Sequence, residues 1–357
     1  MSDADPPLTV RLSDPGDLAA ALPHLIGFRP RESLVVVSLH GSTGLRLGLT
    51  ARVDLPASEH RRQVVGGVVR SLVTDRPDAV LLAVASEDAD VARPGTFPAA
   101  GDVDLPHRDV VREAVLAFDA AGVAVRDALL VRNGRWWSYD CARECCAPWA
   151  GTRLPTGTSA LAAAAALTGQ VVEADRAALV RRIAPVGFLA AEGMARACDE
   201  IGDDLARRTA RLGWDVVAEE GWAAVLAAVE AAEPGSVQGL SDRQVARLAW
   251  GLRDIDLRDR ALALALGRSA AAAEVLWTEL TRRAPAPLDA APATLLAVTA
   301  WVRGDGALAN VALERALASE PSYTFAALLR SALDACMRPA EVRRLIRETC
   351  GPSDARW

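Results

Sequence analysis

The fold of this chain is decided by the stretch Ala79-Val80-Leu81-Leu82-Ala83-Val84. Six apolar residues in a row, without alternation, are typical of a strand that is buried on both faces. A second buried strand is indicated by Leu34-Val35-Val36-Val37, because β-branched residues favour extended backbone. Apolar residues at helical spacing occupy residues 58–73 and 108–121. Strands that alternate with helices in this way predict an α/β fold.

Two hairpins extend the predicted sheet. The turn Gly41-Ser42-Thr43-Gly44 leads the first buried strand back into residues 45–53, where apolar and polar side chains alternate. Asn133-Gly134, a strong two-residue hairpin signal, joins a strand at residues 127–131 to residues 135–139. Together with two strand–helix–strand crossovers, these hairpins predict a mixed sheet of about five strands with packed helices.

The sequence changes character after residues 150–157, where the strand signal ends and alanine-rich amphipathic segments begin. We therefore predict a mixed α/β domain over residues 8–150 and an alanine-rich all-helical domain over residues 158–350. One part of the second domain has the residue spacing of a tetratricopeptide-like helix hairpin: Leu296, Ala297, Gly304, Asp305, Ala309, Leu313, Ala316 and Pro321. A repeat array needs about three copies, so we predict a single hairpin within a helical bundle.

Composition excludes several chemistries. All 40 basic residues are arginine, so the chain has no lysine for a Schiff base with PLP or for a P-loop nucleotide site. A net charge of −6 argues against general nucleic-acid binding, which requires a positive surface. No apolar run is long enough to span a membrane. The acidic start, residues 1–10, does not resemble a signal peptide, and we expect a cytoplasmic protein.

The densest group of reactive side chains follows the second hairpin. Cys141, Cys145 and Cys146 are three of the six cysteines, and thiolates at this spacing are typical of half a tetrahedral zinc site. The fourth ligand would come from one of three histidines: His107, His24 or His40. Two alternatives remain open. A disulfide from Cys141 to Cys145 or Cys146 would be a redox switch, and simple packing beneath tryptophans needs no chemistry.

A second candidate site is the loop before the first strand. Arg29 and Arg31 flank a proline there, and two guanidinium groups could bind a carboxylate or a phosphate. An ion pair with Glu32 or an aspartate is the simpler interpretation. The position of the loop also counts against a ligand, because ligands of α/β sheets bind beyond the carboxyl ends of strands and this loop precedes one.

Aromatic residues beside the cysteines are the third candidate. Trp136, Trp137 and Tyr139 could form the wall of a pocket near the long loop of residues 86–106. Catalytic motifs are missing from the sequence: it has no Gly-x-Ser-x-Gly, no Gly-x-Gly-x-x-Gly after a strand, and no His-Glu-x-x-His.

Several segments together resemble a bacterial family of actinobacterial type that is catalogued only as a domain of unknown function. They are residues 18–37, Leu105-Pro106-His107-Arg108-Asp109, residues 126–129, Gly134-Arg135-Trp136-Trp137-Ser138-Tyr139 with the Cys145-Cys146 pair, residues 240–259 and residues 304–310. The resemblance covers nearly the whole chain and implies a cytoplasmic protein without an assigned reaction, ligand or catalytic residue. The chain departs from the family pattern at Ala147, where a proline is expected.

These observations favour an interaction or regulatory module whose helical half binds a protein partner or a second copy of the chain. The alternative is a small-ligand-binding protein or an enzyme, with a site near residues 86–106 and the hairpin of residues 136–146, which could include a structural zinc ion. Function in α/β folds is carried by specific sites, so the arrangement of the cysteines decides between these hypotheses.

Overall fold

The structure is a computed structural model, and it describes residues 14–41, 46–87, 104–155, 171–232 and 239–354. The chain divides into two compact units, Met1–Arg176 and Ala177–Trp357. Within the described residues, the first unit contains a mixed sheet with packed helices, and the second contains helices without strands. The predicted fold class is confirmed.

The first unit is built from alternating helices and strands. Its described elements are, in order, α1 (Pro15–Ile26), β1 (Ser33–His40), β2 (Arg46–Asp54), α2 (Arg61–Val73), β3 (Ala79–Ala85), α3 (Arg108–Ala120), β4 (Ala124–Arg132), β5 (Arg135–Ser138), a 3-10 turn (Glu144–Cys146) and β6 (Thr152–Arg153). The sheet order is β2-β1-β3-β4-β5-β6. Among the strands that the structure describes, the β3–β4 pair is parallel and the other four pairs are antiparallel. The sixth strand, β6, has two residues and is too short to show a periodicity in the sequence.

The two central strands, β1 and β3, run antiparallel and are buried along almost their whole length. Their register pairs Ser33 with Ala85 and Leu39 with Ala79. On one face, side chains such as Val36 and Leu82 pack against α2 and α3 in a single apolar core. The opposite face is buried as well, and α1 contacts β2 and β4. This pairing puts the amino end of β1 beside the carboxyl end of β3.

Local signals place the ends of these elements as the sequence predicts. Asp14 caps α1, since its carboxylate accepts the Gly16 N–H at 2.7 Å, and Gly27 ends the helix at φ 92°. Asn133 and Gly134 have φ values of 48° and 69°. Two positive φ angles are what a type I′ turn requires, so the predicted hairpin from β4 to β5 is confirmed.

The second unit consists of helices joined by short connections. Its described helices are α4 (Arg176–Arg182), which begins at the boundary, α5 (Phe188–Leu212), α6 (Trp214–Ala231), α7 (Asp242–Gly251), α8 (Ile255–Leu262), a 3-10 turn (Ala263–Ala265), α9 (Ala270–Arg283), α10 (Ala290–Arg303), α11 (Gly306–Ser319), α12 (Thr324–Asp334) and α13 (Pro339–Asp354). The helices α10 and α11 pack on each other. Gly304 ends α10 at φ 99°, and Asp305 caps α11. The tetratricopeptide-like character of this pair is not confirmed.

A polar cluster closes the sheet at the edge where β1 ends and β3 begins. Asp75 is buried, and its Oδ2 atom accepts hydrogen bonds from Ser38 Oγ at 2.5 Å, from His40 Nε2 at 2.7 Å and from the Leu49 N–H at 3.1 Å. A Cβ atom at Gly48 would overlap the same three side chains. Burial by itself raises the pKa of Asp75, but the hydrogen bonds outweigh it and hold the pKa below its ordinary value.

We predict that Asp75→Ala lowers the free energy of unfolding by about 2–3 kcal/mol, because it leaves the buried Ser38 hydroxyl without its partner. The folded protein protonates Asp75 at lower pH than the unfolded chain does. The stabilisation is therefore complete above the unfolded pKa of about 4 and is lost as the pH falls further.

Urea unfolding at pH 7 and at pH 3 measures both effects. Asp78→Ala is the matched control. Among the residues that the structure describes, the exposed Asp78 carboxylate accepts one surface N–H, from Gly41, and its loss should cost less than about 0.5 kcal/mol. An equal loss of unfolding free energy in Asp75→Ala and Asp78→Ala would contradict this account of the cluster.

Candidate metal centre

The cysteine loop begins at a buried tyrosine directly after β5. The Tyr139 N–H donates to the Ala128 carbonyl at 2.8 Å, and its hydroxyl donates to the Pro106 carbonyl at 2.6 Å. The Arg108 guanidinium lies 5.5 Å above the ring. Burial raises the pKa of Tyr139, so the phenol stays protonated and its hydrogen bond holds the start of the loop in place.

The far end of the cysteine loop is held by Trp137. Its indole Nε1 donates to the Ala147 carbonyl at 3.0 Å. Gly151, at φ 68°, lies against the ring so closely that a Cβ atom would overlap it. Trp136 points to the other face of the sheet, where a Cβ atom on Gly16 of α1 would lie 2.8 Å from its Nε1 atom. The structure thus separates Trp136 from Trp137 and Tyr139 instead of grouping all three around one pocket.

Between these two anchors, the three thiols converge. The Sγ atoms of Cys141, Cys145 and Cys146 all lie within 4.8 Å of one another, and those of Cys141 and Cys145 are 3.9 Å apart. Cys146 is buried, Cys141 is half-buried and Cys145 is exposed. The Ser138 N–H donates to Cys146 Sγ at 3.3 Å, which ties the buried thiol to the end of β5. All three are free thiols.

The surroundings of the cluster distinguish its members chemically. The Arg143 N–H donates to Cys141 and, together with hydrogen bonds from Cys146 and Cys145, lowers the pKa of the Cys141 thiol. Burial raises the pKa of Cys146 to about 11. The thiolate is the form that binds metals and attacks electrophiles. Without a bound cation, Cys141 is therefore more reactive than Cys146.

The spacing of the sulfur atoms suits a metal ion. Two thiolates bound to one tetrahedral zinc ion at about 2.3 Å lie about 3.8 Å from each other. The distance from Cys141 to Cys145 is 3.9 Å, and the remaining Sγ distances need only small side-chain movements to match it. The cluster can therefore hold a metal ion through three thiolates.

Of the three histidines considered as a fourth ligand, His24 lies in α1, and the other two have hydrogen-bond partners away from the cysteines. His107 Nε2 lies 3.0 Å from Ser86 Oγ, and His40 is bonded to Asp75. Among the residues that the structure describes, the metal-binding group consists of the three cysteines without a histidine or carboxylate. Sequence reasoning also missed Ser138, whose N–H orients Cys146, because a backbone donor leaves no signal in residue types.

A comparison with protein families supplies the identity of the chain. The model of a domain of unknown function, DUF4192, matches residues 15–340, which include the α/β unit with its cysteine loop and most of the helical unit. The chain belongs to the DUF4192 family. Searches of curated proteins and of solved structures found no match. No helix in the described part of this DUF4192 chain is long and apolar enough to cross a membrane.

The arginine loop of this DUF4192 protein lies away from the cysteines. Both Arg29 and Arg31 are exposed, and within the described residues neither guanidinium forms an ion pair. The Arg29 N–H donates to the Glu173 carbonyl at 3.1 Å. Because β1 is antiparallel to β3, this loop lies at the carboxyl edge of β3 although it precedes β1. The position of this loop before a strand therefore no longer counts against a ligand, because the sheet topology places the loop at an edge where ligands of α/β sheets bind.

We predict that iodoacetamide at pH 8 alkylates Cys141 and Cys145 at least about tenfold faster than Cys146, because a thiol of pKa about 11 is almost fully protonated. Peptide mass spectrometry over a time course measures the three rates. Cys198, also buried with a pKa raised to about 11, is the internal control and should react as slowly as Cys146. Uniform labelling of all four thiols would contradict the burial that the structure shows.

Proposed function

We propose that this DUF4192 protein binds a zinc ion through Cys141, Cys145 and Cys146 and works as a metal-dependent regulatory module. The observation that carries the proposal is the convergence of three Sγ atoms within 4.8 Å. A disulfide, the alternative chemistry, requires sulfur atoms about 2.05 Å apart. It would use two of the three thiols and leave the convergence of the third unexplained.

The proposed centre has an open coordination position. Protein-bound zinc is usually four-coordinate, and the described residues supply three ligands. Because Cys145 is exposed, the fourth ligand can arrive from solvent as water or as a donor atom of a binding partner. Zinc sites with three protein ligands and one exchangeable ligand take part in ligand binding and chemistry, whereas purely structural sites are closed.

The proposal places the protein in the cytoplasm, where the reducing environment keeps thiols free and able to bind metals. A regulatory role follows from the position of the ligands. Cys146 is anchored to β5 through Ser138, and Cys145 belongs to an exposed turn. Metal binding would therefore tie the exposed turn with Cys145 to the part of the loop that the sheet already holds, and loss of the metal would remove this link.

We predict that the reduced protein binds one zinc ion per chain, and that Cys141→Ser or Cys145→Ser weakens binding by more than about 100-fold, since each removes a direct ligand. Competition with a chromophoric chelator measures the affinity, and cobalt substitution reports thiolate ligation through its charge-transfer absorption. The control is Cys336→Ser in the helical unit, which should bind zinc as the wild type does.

Elemental analysis of protein that was purified under reducing conditions and reconstituted with zinc tests the proposal directly. A zinc content well below one per chain after reconstitution contradicts the proposal, as does a Cys145→Ser variant that keeps wild-type affinity. A disulfide-linked Cys141 and Cys145 in freshly purified, unreduced protein would favour the redox alternative in place of zinc.

We propose as a second candidate function that the helical unit mediates self-association. The observation that favours it is a pair of adjacent apolar residues at the start of α5, Phe188 and Leu189, which are 75% and 87% exposed. Burying such side chains in an interface stabilises it by about 2 kcal/mol each. Light scattering during size-exclusion chromatography should show a dimer that the double change Phe188→Ser and Leu189→Ser converts to a monomer; a monomeric wild type contradicts it.

A further inference from the structure

A second group of reactive side chains lies at the carboxyl edge of β3 and β4. Ser86 directly follows β3 and is 2% exposed. Its Oγ atom lies 2.8 Å from Glu32 Oε2 and 3.0 Å from His107 Nε2. Glu32 ends the loop before β1, and His107 precedes the first residue of α3. Three segments that are distant in sequence thus meet in one continuous series of hydrogen bonds.

The positions of the protons in these hydrogen bonds follow from the donors available. An ionised Glu32 can only accept, so the single hydroxyl proton of Ser86 goes to Glu32 Oε2. Ser86 Oγ then offers a lone pair to His107, and His107 Nε2 must carry the proton that it donates. The resulting tautomer leaves Nδ1 of His107 as the basic nitrogen. Within the described residues, Nδ1 has no hydrogen-bond partner.

Two of the three residues have an uncommon backbone conformation, which neighbouring hydrogen bonds hold in place. Glu32 and His107 have φ values of 39° and 59°, a left-handed conformation that is uncommon for residues other than glycine, although histidine adopts it more often than glutamate does. The Glu87 N–H donates to Glu32 Oε1 at 2.7 Å, and the Asn133 N–H donates to the Glu87 carboxylate. Strained residues held by surrounding hydrogen bonds cluster at functional sites.

The position of the group matches that of ligand sites in α/β proteins. The strands β3 and β4 form a parallel pair with α3 as the crossover, and ligands of α/β sheets bind at the carboxyl ends of the strands. The loop before β1 brings Arg31, exposed and adjacent to Glu32, to the same edge. A guanidinium at this edge selects an anionic ligand.

We propose that Glu32, Ser86 and His107 form a proton relay in which His107 Nδ1 is the general base for hydrolysis of small anionic esters. As a water oxygen bonds to the ester carbonyl carbon, Nδ1 takes its proton. The imidazolium is stabilised by Glu32 through the Ser86 hydroxyl. When the carbon–oxygen ester bond breaks, the proton passes from Nδ1 to the leaving alkoxide, so that water and ester yield a carboxylic acid and an alcohol.

The relay assigns different roles to its members. His107 is the catalytic residue because it exchanges a proton with water, and Ser86 and Glu32 are positioning residues that select its tautomer. Arg31 binds the anionic group of the ester. The relay is independent of the three cysteines, so failure of either proposal leaves the other intact.

The test uses the full-length protein and two substrates, neutral 4-nitrophenyl acetate and the anionic 4-nitrophenyl half ester of adipic acid. General-base catalysis contributes about 10²–10⁴-fold, so His107→Gln should lower kcat for the half ester at least about 100-fold. Arg31→Gln should raise KM for the half ester about tenfold and leave the acetate unchanged. The control is His60→Gln: His60 is 65% exposed, is separate from the relay and should leave both rates unchanged.

Nitrogen-15 NMR of histidine-labelled protein tests the relay without any substrate. The wild type should show His107 protonated at Nε2, and Ser86→Ala or Glu32→Gln should shift it towards a mixture of tautomers. The proposal is overturned if His107 carries its proton on Nδ1, or if the wild type hydrolyses the half ester no faster than His107→Gln. Circular dichroism of each variant separates these outcomes from misfolding.

Discussion

Antiparallel pairing between the buried strands β1 and β3 organises the whole α/β unit. Each strand buries both faces. The side chains of one parity pack against α2 and α3, and those of the other parity are buried on the opposite face of the sheet, while α1 contacts the flanking strands β2 and β4. Because the strands run in opposite directions, the sheet has two chemically different edges. One edge is closed by Asp75 with Ser38 and His40, and the other brings Glu32 next to Ser86.

The cysteine loop depends on the same sheet through β5. The β4–β5 hairpin places Tyr139 and Trp137 in the core beneath α3, and both side chains hold the loop by hydrogen bonds to backbone carbonyls. Cys146 belongs to the core and Cys141 packs against it, while Cys145 stays exposed. Because the exposed Cys145 lies next to residues that the core holds in place, a metal ion bound there can gain or lose a fourth ligand without disturbing the fold.

Sequence reasoning succeeded wherever a local cause determines the structure. The type I′ turn at Asn133-Gly134, the Asp14 cap and the buried strands follow from backbone preferences and apolar runs, and the clustering of cysteines follows from short spacing. It failed where distant segments meet. His107 was expected to complement the cysteines, but it contacts Ser86, and Ser86 contacts Glu32 at a separation of 54 residues.

The direction of β1 explains why such contacts escaped prediction. An apolar run such as Leu34-Val35-Val36-Val37 indicates a buried strand without specifying its neighbour or orientation. Once β1 is antiparallel to β3, the loop with Arg29 and Arg31 moves to the edge where ligands bind, which is the reverse of the position expected from its place before a strand.

X-ray absorption at the zinc edge tests most directly whether the three thiols act as one centre. For full-length protein loaded with one equivalent of zinc, the account predicts three sulfur neighbours at about 2.3 Å and one nitrogen or oxygen neighbour at about 2.0 Å. A first shell of nitrogen and oxygen alone, or one with two or fewer sulfur atoms, would contradict the claim that Cys141, Cys145 and Cys146 bind a common ion.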